Sequence, residues 1–266
     1  MHALLNVAVM AARRAGAVLG RNFNKRDKLT VEKKGHNDYV TSADLAAEKA
    51  IIDVIHKHYP DHAILAEESG VQGDSDYVWI IDPLDGTTNY LHGFPVFGIS
   101  IALQIEGRLE HAVVYEPMRE ELFTASRGAG AQLDGHKIRV SGNKDLERSL
   151  IGTGFPYRQA DEELEPYLAM LAKVIKNTSG VRRPGSAALD LCSVACGRLD
   201  AFWETGLKSW DLAAGTLIIR EAGGIVSALD GAENHMETGH VLTGSPRIYR
   251  GLAKLCASEI KAILKS

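Results

Sequence analysis

At 266 residues, 45% apolar and 24% charged, the chain has material for one large domain or two closely packed halves. A net charge of −4 advertises no polyanion-binding face, so direct nucleic-acid contact is not expected. No stretch approaches roughly 18 consecutive apolar residues, so membrane contact is not expected either.

The first predicted element is an amphipathic helix over 3–22, with Leu4, Leu5, Ala8, Ala11, Ala12, Ala15, Val18 and Leu19 on one face. Arg13 and Arg14 follow the apolar start instead of preceding it, the reverse of a secretory leader, and the expected location is the cytoplasm. A second helix is predicted over 41–59, with Thr41 as N-cap and Asp44 three residues on. Strand-like runs follow at 62–66, 77–81, 97–105, 110–115 and 121–125. Short turns such as Glu106-Gly107-Arg108 join several of them and predict antiparallel pairing.

From about Leu150 the texture changes. A strand over 150–154 precedes helices over 162–175 and 186–196, then a strand over 201–204, a helix over 211–222, a strand over 224–227 and one closing helix over 246–265. The chain therefore reads as two α/β halves, 1–145 with mainly antiparallel sheet and 146–266, with polar residues at their junction. Cys192, Cys196 and Cys256 lack CxxC spacing and read as buried reduced thiols.

The most informative segment is Trp79-Ile80-Ile81-Asp82-Pro83-Leu84-Asp85-Gly86-Thr87-Thr88-Asn89. An apolar strand runs into Asp82, and Pro83 ends regular pairing there. The turn beyond can bring Asp82 and Asp85 to one side with the Leu84 carbonyl, an oxygen set suited to Mg²⁺. Gly86-Thr87-Thr88-Asn89 reads as a turn opening a short helix, whose unpaired N–H groups favour a phosphate. Taken alone, D-P-x-D-G is an Asx turn with an ordinary cap; acids elsewhere shift the balance. In Ala66-Glu67-Glu68-Ser69 strand alternation lets only one glutamate face a site, and Glu67 is chosen, with Glu68 behind it. Glu204 and Trp210-Asp211-Leu212-Ala213-Ala214-Gly215 complete the set, with Asp211 at a helix start. Acids converging in this way repel one another, and divalent cations remove that penalty.

These motifs, with Tyr39-Val40-Thr41-Ser42-Ala43-Asp44 and Gly185-Ser186-Ala187-Ala188, resemble the inositol monophosphatase family over nearly the whole chain. Arg182-Arg183 and the compact length look most like its bacterial SuhB-type branch; Pro184 and Tyr90 depart mildly from common family residues. The resemblance implies a layered αβαβα sandwich, lithium-sensitive hydrolysis, a homodimer, and two to three Mg²⁺ per site. It implies that Glu67, Asp82 and the Leu84 carbonyl hold a first cation, and Asp82, Asp85 and Asp211 a second. Thr87, supported by Asp44, positions the attacking water, while the Gly86 and Thr87 amides hold the phosphate beside Thr88. Asp85, Ala187, Glu204 and Asp211 face the polyol. The family's loop lysine falls on Lys33 or Lys34.

A phosphomonoester needs mostly electrostatic help, and no cysteine or histidine nucleophile motif appears, so direct attack by water is expected. The expected substrate is an inositol monophosphate or a related polyol phosphate. Fructose 1,6-bisphosphate and an adenosine bisphosphate are the alternatives. The SuhB-type resemblance also implies a role in transcription antitermination through NusA and RNA polymerase. His235 and His240 lack metal-ligand spacing, and His56-Lys57-His58 reads as solvated surface.

Overall fold

A computed structural model describes residues 2–25, 29–35, 38–156 and 160–265. Helix α1 (Ala3–Phe23) and helix α2 (Ser42–His58) form one outer layer, joined through the hairpin β1 (Val31–Gly35) and β2 (Asp38–Thr41). The face predicted for α1 is the face it buries. Leu5, Ala8, Ala11, Ala12, Ala15 and Leu19 of α1 meet Ala43, Ala47, Ile51 and Ile55 of α2 over a shared sheet. Small alanines let the two helices and the sheet approach closely. By length and composition α1 is the one helix among the described residues that could cross a bilayer, yet 50% of its apolar window is buried in this core.

That sheet has eight strands: β3 (Ala63–Ala66), β4 (Gly70–Gln72), β5 (Tyr77–Asp85), β6 (Gly98–Ile105), β7 (Arg108–Glu116), β8 (Glu121–Ser126), β9 (Gly130–Leu133) and β10 (His136–Lys137), in the order β10-β9-β8-β7-β6-β5-β3-β4. The predicted antiparallel pairing holds from β5 to β10. It fails between β3 and β5, which are parallel because the short strand β4 intervenes and carries the chain back. Regular pairing of β5 with β6 ends at Asp82, as expected before Pro83. The strand continues to Asp85, and a register shift against β6 between Asp82 and Asp85 absorbs the proline, which has no N–H to give a ladder.

A second sheet of five strands follows: β11 (Leu150–Thr153), β12 (Gly180–Arg182), β13 (Ala201–Glu204), β14 (Ile225–Ser227) and β15 (Val241–Gly244), in the order β12-β11-β13-β15-β14. Helices α5 (Ala187–Ala195) and α6 (Ser209–Glu221) fill the layer between the two sheets. Leu191, Val194, Leu217, Ile218 and Ile219 pack there against Val114 and Phe123 on one side and Phe202 on the other. Helix α4 (Ala160–Asn177) covers the far face of the small sheet. The closing helix is two helices, α8 (Pro246–Leu255) and α9 (Ala257–Ile263), which also lie on that face. Cys256 caps the break between them, and α7 (His235–Thr238) precedes β15. The result is the expected αβαβα sandwich. The cysteines are unbridged; Cys192 and Cys256 are buried and Cys196 is half-buried.

Candidate active site

A polar cleft of about 410 Å³ opens where β5, α3 (Thr87–His92), α5, β13 and the start of α6 converge. Its floor is the Asp82–Asp85 turn. Asp82 Oδ1 accepts a hydrogen bond from the Leu84 amide (2.9 Å), so the Asx turn that the motif predicts on its own is present. Asp85 Oδ2 accepts from the Ala188 amide and from Ser186 Oγ, both at 2.7 Å, which ties the turn to the start of α5. Asp211 Oδ2 accepts from the Lys208 amide (2.7 Å) in the first turn of α6. Each of the three carboxylates is therefore oriented by a backbone amide from a different element. Each offers one oxygen to a cluster whose members all lie within 4.8 Å of one another.

Such a cluster is costly. Asp82 is fully buried, and its pKa is driven well above the carboxylate range by burial first and then by the charges of Glu67, Asp85 and Asp211. Asp85 is raised to about 7, again by burial and then by Asp211, although its hydrogen bonds to Ser186 and Ala188 favour ionisation. Two charges 4.8 Å apart repel by ~3.5 kcal/mol at an effective dielectric of about 20. Hard carboxylate oxygens packed so closely, with their orientation fixed by main chain, match what an oxygen-seeking divalent cation requires.

Glu67 and Leu84 line the same cleft. Thr87 Oγ1 lies 3.2 Å from Asp44 Oδ1 and 3.1 Å from the Leu84 carbonyl. Asp44 also completes the capping box expected with Thr41 by accepting the Thr41 amide at 3.0 Å, and burial raises its pKa. Gly86 caps α3 with φ +101°, and a Cβ there would press on the Val96 and Gly185 carbonyls at 3.1 and 3.2 Å, so the turn requires glycine. Asn89 Nδ2 donates to the Val96 and Pro184 carbonyls, both at 2.8 Å, stitching α3 to the loop before α5. Tyr90 points the other way; its hydroxyl donates to the Leu19 carbonyl (2.7 Å) between the Phe23 and Phe97 rings. The two departures from common family residues, Tyr90 and Pro184, thus serve to anchor α3.

Thr88, Ala187 and Glu204 line the cleft with Asp85 and Asp211. Lys33 does not: it is exposed in the hairpin opposite Tyr39, and the Lys34 side chain lies outside the described residues. Sequence reasoning misses Asp190, buried on α5 in the cleft wall, whose pKa burial, Glu204 and Asp85 raise well above normal against the pull of Arg183. The available signal is an acid inside the otherwise apolar run 187–195. It misses Glu48 as well, one helical turn beyond Asp44, and Phe155, whose ring lies 5.1 Å from the Arg183 guanidinium at the cleft edge.

The model of the inositol monophosphatase family matches residues 1–263. Among relatives, the Nus factor SuhB of Pseudomonas aeruginosa is 48% identical over 270 residues, covering 100% of both chains. Among solved structures, the extragenic suppressor protein suhB of Bartonella henselae superposes with a TM-score of 0.93 at 43% identity, over 96% of this chain and 98% of that one. An inositol monophosphatase from Anabaena gives a TM-score of 0.85 at 40% identity, over 96% and 95%.

Proposed function

Since the chain belongs to the inositol monophosphatase family and carries its phosphatase fold, we propose that it hydrolyses inositol monophosphate and related polyol phosphates with Mg²⁺ as cation. The observation that carries this reading is the amide-oriented trio Asp82, Asp85 and Asp211 within 4.8 Å at the floor of a polar cleft. Glu67, Asp82 and the Leu84 carbonyl would hold one cation, and Asp82, Asp85 and Asp211 a second. Cations held there would offset the carboxylate repulsion, acidify an attacking water and stabilise the departing alkoxide.

The chain's own residues do the rest. Thr87 has one hydroxyl proton and two inward acceptors, Asp44 and the Leu84 carbonyl. Its proton is committed inward, so its oxygen can accept a hydrogen bond from a water in the cleft and aim that water. The first-turn amides of α3, from Gly86 to Thr88, have no intrahelical acceptor and suit phosphate oxygens. Ala187, Glu204 and Asp211 border the remaining space, where carboxylates would accept hydrogen bonds from polyol hydroxyls. Phosphate release from a panel containing inositol 1-phosphate, fructose 1,6-bisphosphate and an adenosine bisphosphate tests the reading. Turnover should depend on Mg²⁺, fall in millimolar lithium and favour the inositol ester. A preference for either bisphosphate would replace the substrate assignment.

The name Nus factor carried by 48–49% identical relatives favours a second role, contact with the transcription machinery through NusA or RNA polymerase as a cytoplasmic homodimer. An Asp85→Asn variant separates the two. If it restores growth to a deletion strain while hydrolysing nothing, the cellular role is carried by contacts.

A further inference from the structure

Helix α2 carries two buried acids on one face. Asp44 and Glu48 sit one turn apart, 0% and 4% exposed, among Ala43, Ala47 and Ile51. Asp44 is accounted for by Thr41 and Thr87. Glu48 reaches 20 residues along the chain, where its Oε2 accepts the Glu68 amide at 2.9 Å. The preceding amide, that of Glu67, donates to the Ile81 carbonyl at 3.1 Å. The backbone on both sides of the Glu67 side chain is thereby pinned, on one side to β5 and on the other to α2. The β3 ladder ends at Ala66, so these two bonds take over from it in setting the direction of the segment.

A carboxylate is an expensive group to bury for a single amide. A buried acid left without ion pairing costs several kcal/mol in general, and a neutral glutamine could accept the same bond. What the bond supplies is a fixed direction for the segment, and that direction matters where a second carboxylate must be held against repulsion. Glu67 stands beside Asp82 and raises its pKa, so the two side chains push each other apart in the absence of a restraint.

We propose that Glu48 is a positioning residue for cation binding: by gripping the Glu68 amide it holds Glu67 over the Asp82–Asp85 turn. One helix face thus fixes both walls of the site, with Asp44 setting Thr87 and Glu48 setting Glu67. The proposal rests on the reading that Glu67 is a cation ligand.

The test uses the full chain and two readouts. The first is the Mg²⁺ concentration giving half of the Mg²⁺-induced rise in melting temperature, without substrate. The second is the Mg²⁺ dependence of phosphate release. Glu48→Ala, and Glu48→Asp, which keeps the charge but is one methylene short of the amide, should both raise the half-saturating Mg²⁺ ~10-fold, the usual scale for losing a group that orients a ligand. The KM for substrate at saturating Mg²⁺ should stay near wild type. Glu48→Gln, which still accepts the bond, should recover most of the affinity. Glu48→Asp decides the matter if the alanine variant does not fold. A purely structural role would lower the melting temperature in all three and leave the Mg²⁺ midpoint unmoved, and that result overturns the proposal. Glu67→Gln is the control. If it leaves the Mg²⁺ midpoint unchanged, the ligand assignment has failed and the proposal falls with it; if it weakens Mg²⁺ binding while Glu48→Asp does not, the positioning role alone has failed.

Discussion

Replacing Asp85 with asparagine should make the metal-free protein more stable while abolishing its activity. Asp85 is raised to about 7 in the fold against about 3.8 for an unperturbed aspartate, by burial first and then by the charge of Asp211. The sign follows from proton counting. Below pH 3.8 both folded and unfolded chains hold the proton and nothing is lost. Between 3.8 and about 7 the unfolded chain releases it while the folded chain keeps it, so stability falls as pH rises. Above about 7 the loss is complete. Three units at ~1.4 kcal/mol each give a ceiling of ~4 kcal/mol, shared between burial and repulsion by Asp211. Asp85 is half-buried, and water reaching it screens part of this, so a gain of about 2–3 kcal/mol is expected at pH 8.

The substitution is close to isosteric, and an asparagine oxygen can still accept from Ser186 and Ala188. In chelator at pH 8 the variant should melt about 5–10 °C above wild type, taking 2–4 °C per kcal/mol for a chain of this size class. The gap should narrow as the pH is lowered toward 5, where folded wild type holds its proton, and vanish only near 3.8. With saturating Mg²⁺ the order should narrow or reverse, since only wild type presents the full charge to the cation. Thermal melts at four pH values, with and without Mg²⁺, measure all of this. A variant that melts at or below wild type in chelator at pH 8 would mean that the carboxylates do not repel, and the argument for a built cation site would fail with them.

Three further outcomes follow from other parts of the molecule. His235 is buried with Nε2 3.1 Å from Thr216 Oγ1, and burial with Arg220 nearby lowers its pKa to about 4. Its neutral form is the folded one, so stability is lost as pH falls below 6.5. His235→Gln should spare about 2 kcal/mol of the wild-type loss between pH 7.5 and pH 5, read from urea melts. Thr87→Ala should cut kcat by at least ~100-fold with KM little changed, because the hydroxyl aims the water and not the ester; a rise in KM alone would reassign it. A methyl group at Gly154 would fall on the Glu204 carboxylate. Gly154→Ala should therefore raise KM for inositol 1-phosphate while sparing p-nitrophenyl phosphate, which has no polyol to bind, and equal losses on both would remove Glu204 from polyol recognition.

Local patterns account for most of the elements. The apolar stripe of α1, the Thr41–Asp44 capping box and the alternating run of β6 are each written within a few residues, so the sequence shows them directly. What cannot be read locally is made by long-range pairing. Strand β12 is three residues long and exists because it lies parallel to β11, thirty residues earlier; β4 likewise exists by pairing with β3. The closing helix reads as one because an apolar period runs through Cys256, and the break is set by packing of two short helices on the small sheet, not by a glycine or proline.

The cleft follows the same division. The motif spanning Asp82 to Asn89 carries its own turn, so the order of its groups around Asp82 is legible in the sequence alone. Glu48 is not, since in sequence it looks like an acid on an amphipathic helix and only burial distinguishes it from a solvated one, while Asp190 shows only as an acid within a largely apolar run. Burial raises the pKa values of Asp44, Asp82 and Asp190, and because Asp82 and Asp190 face one cleft, burial and mutual repulsion concentrate an electrostatic cost there. Part of that cost is the physical counterpart of cation affinity: burial raises the Asp82 and Asp85 pKa values most, and the further rise from neighbouring acids is repulsion that a cation would offset. The three clustered acids are therefore oriented against their own charge by main-chain amides, Leu84 in β5 for Asp82, Ala188 in α5 for Asp85 and Lys208 at the start of α6 for Asp211.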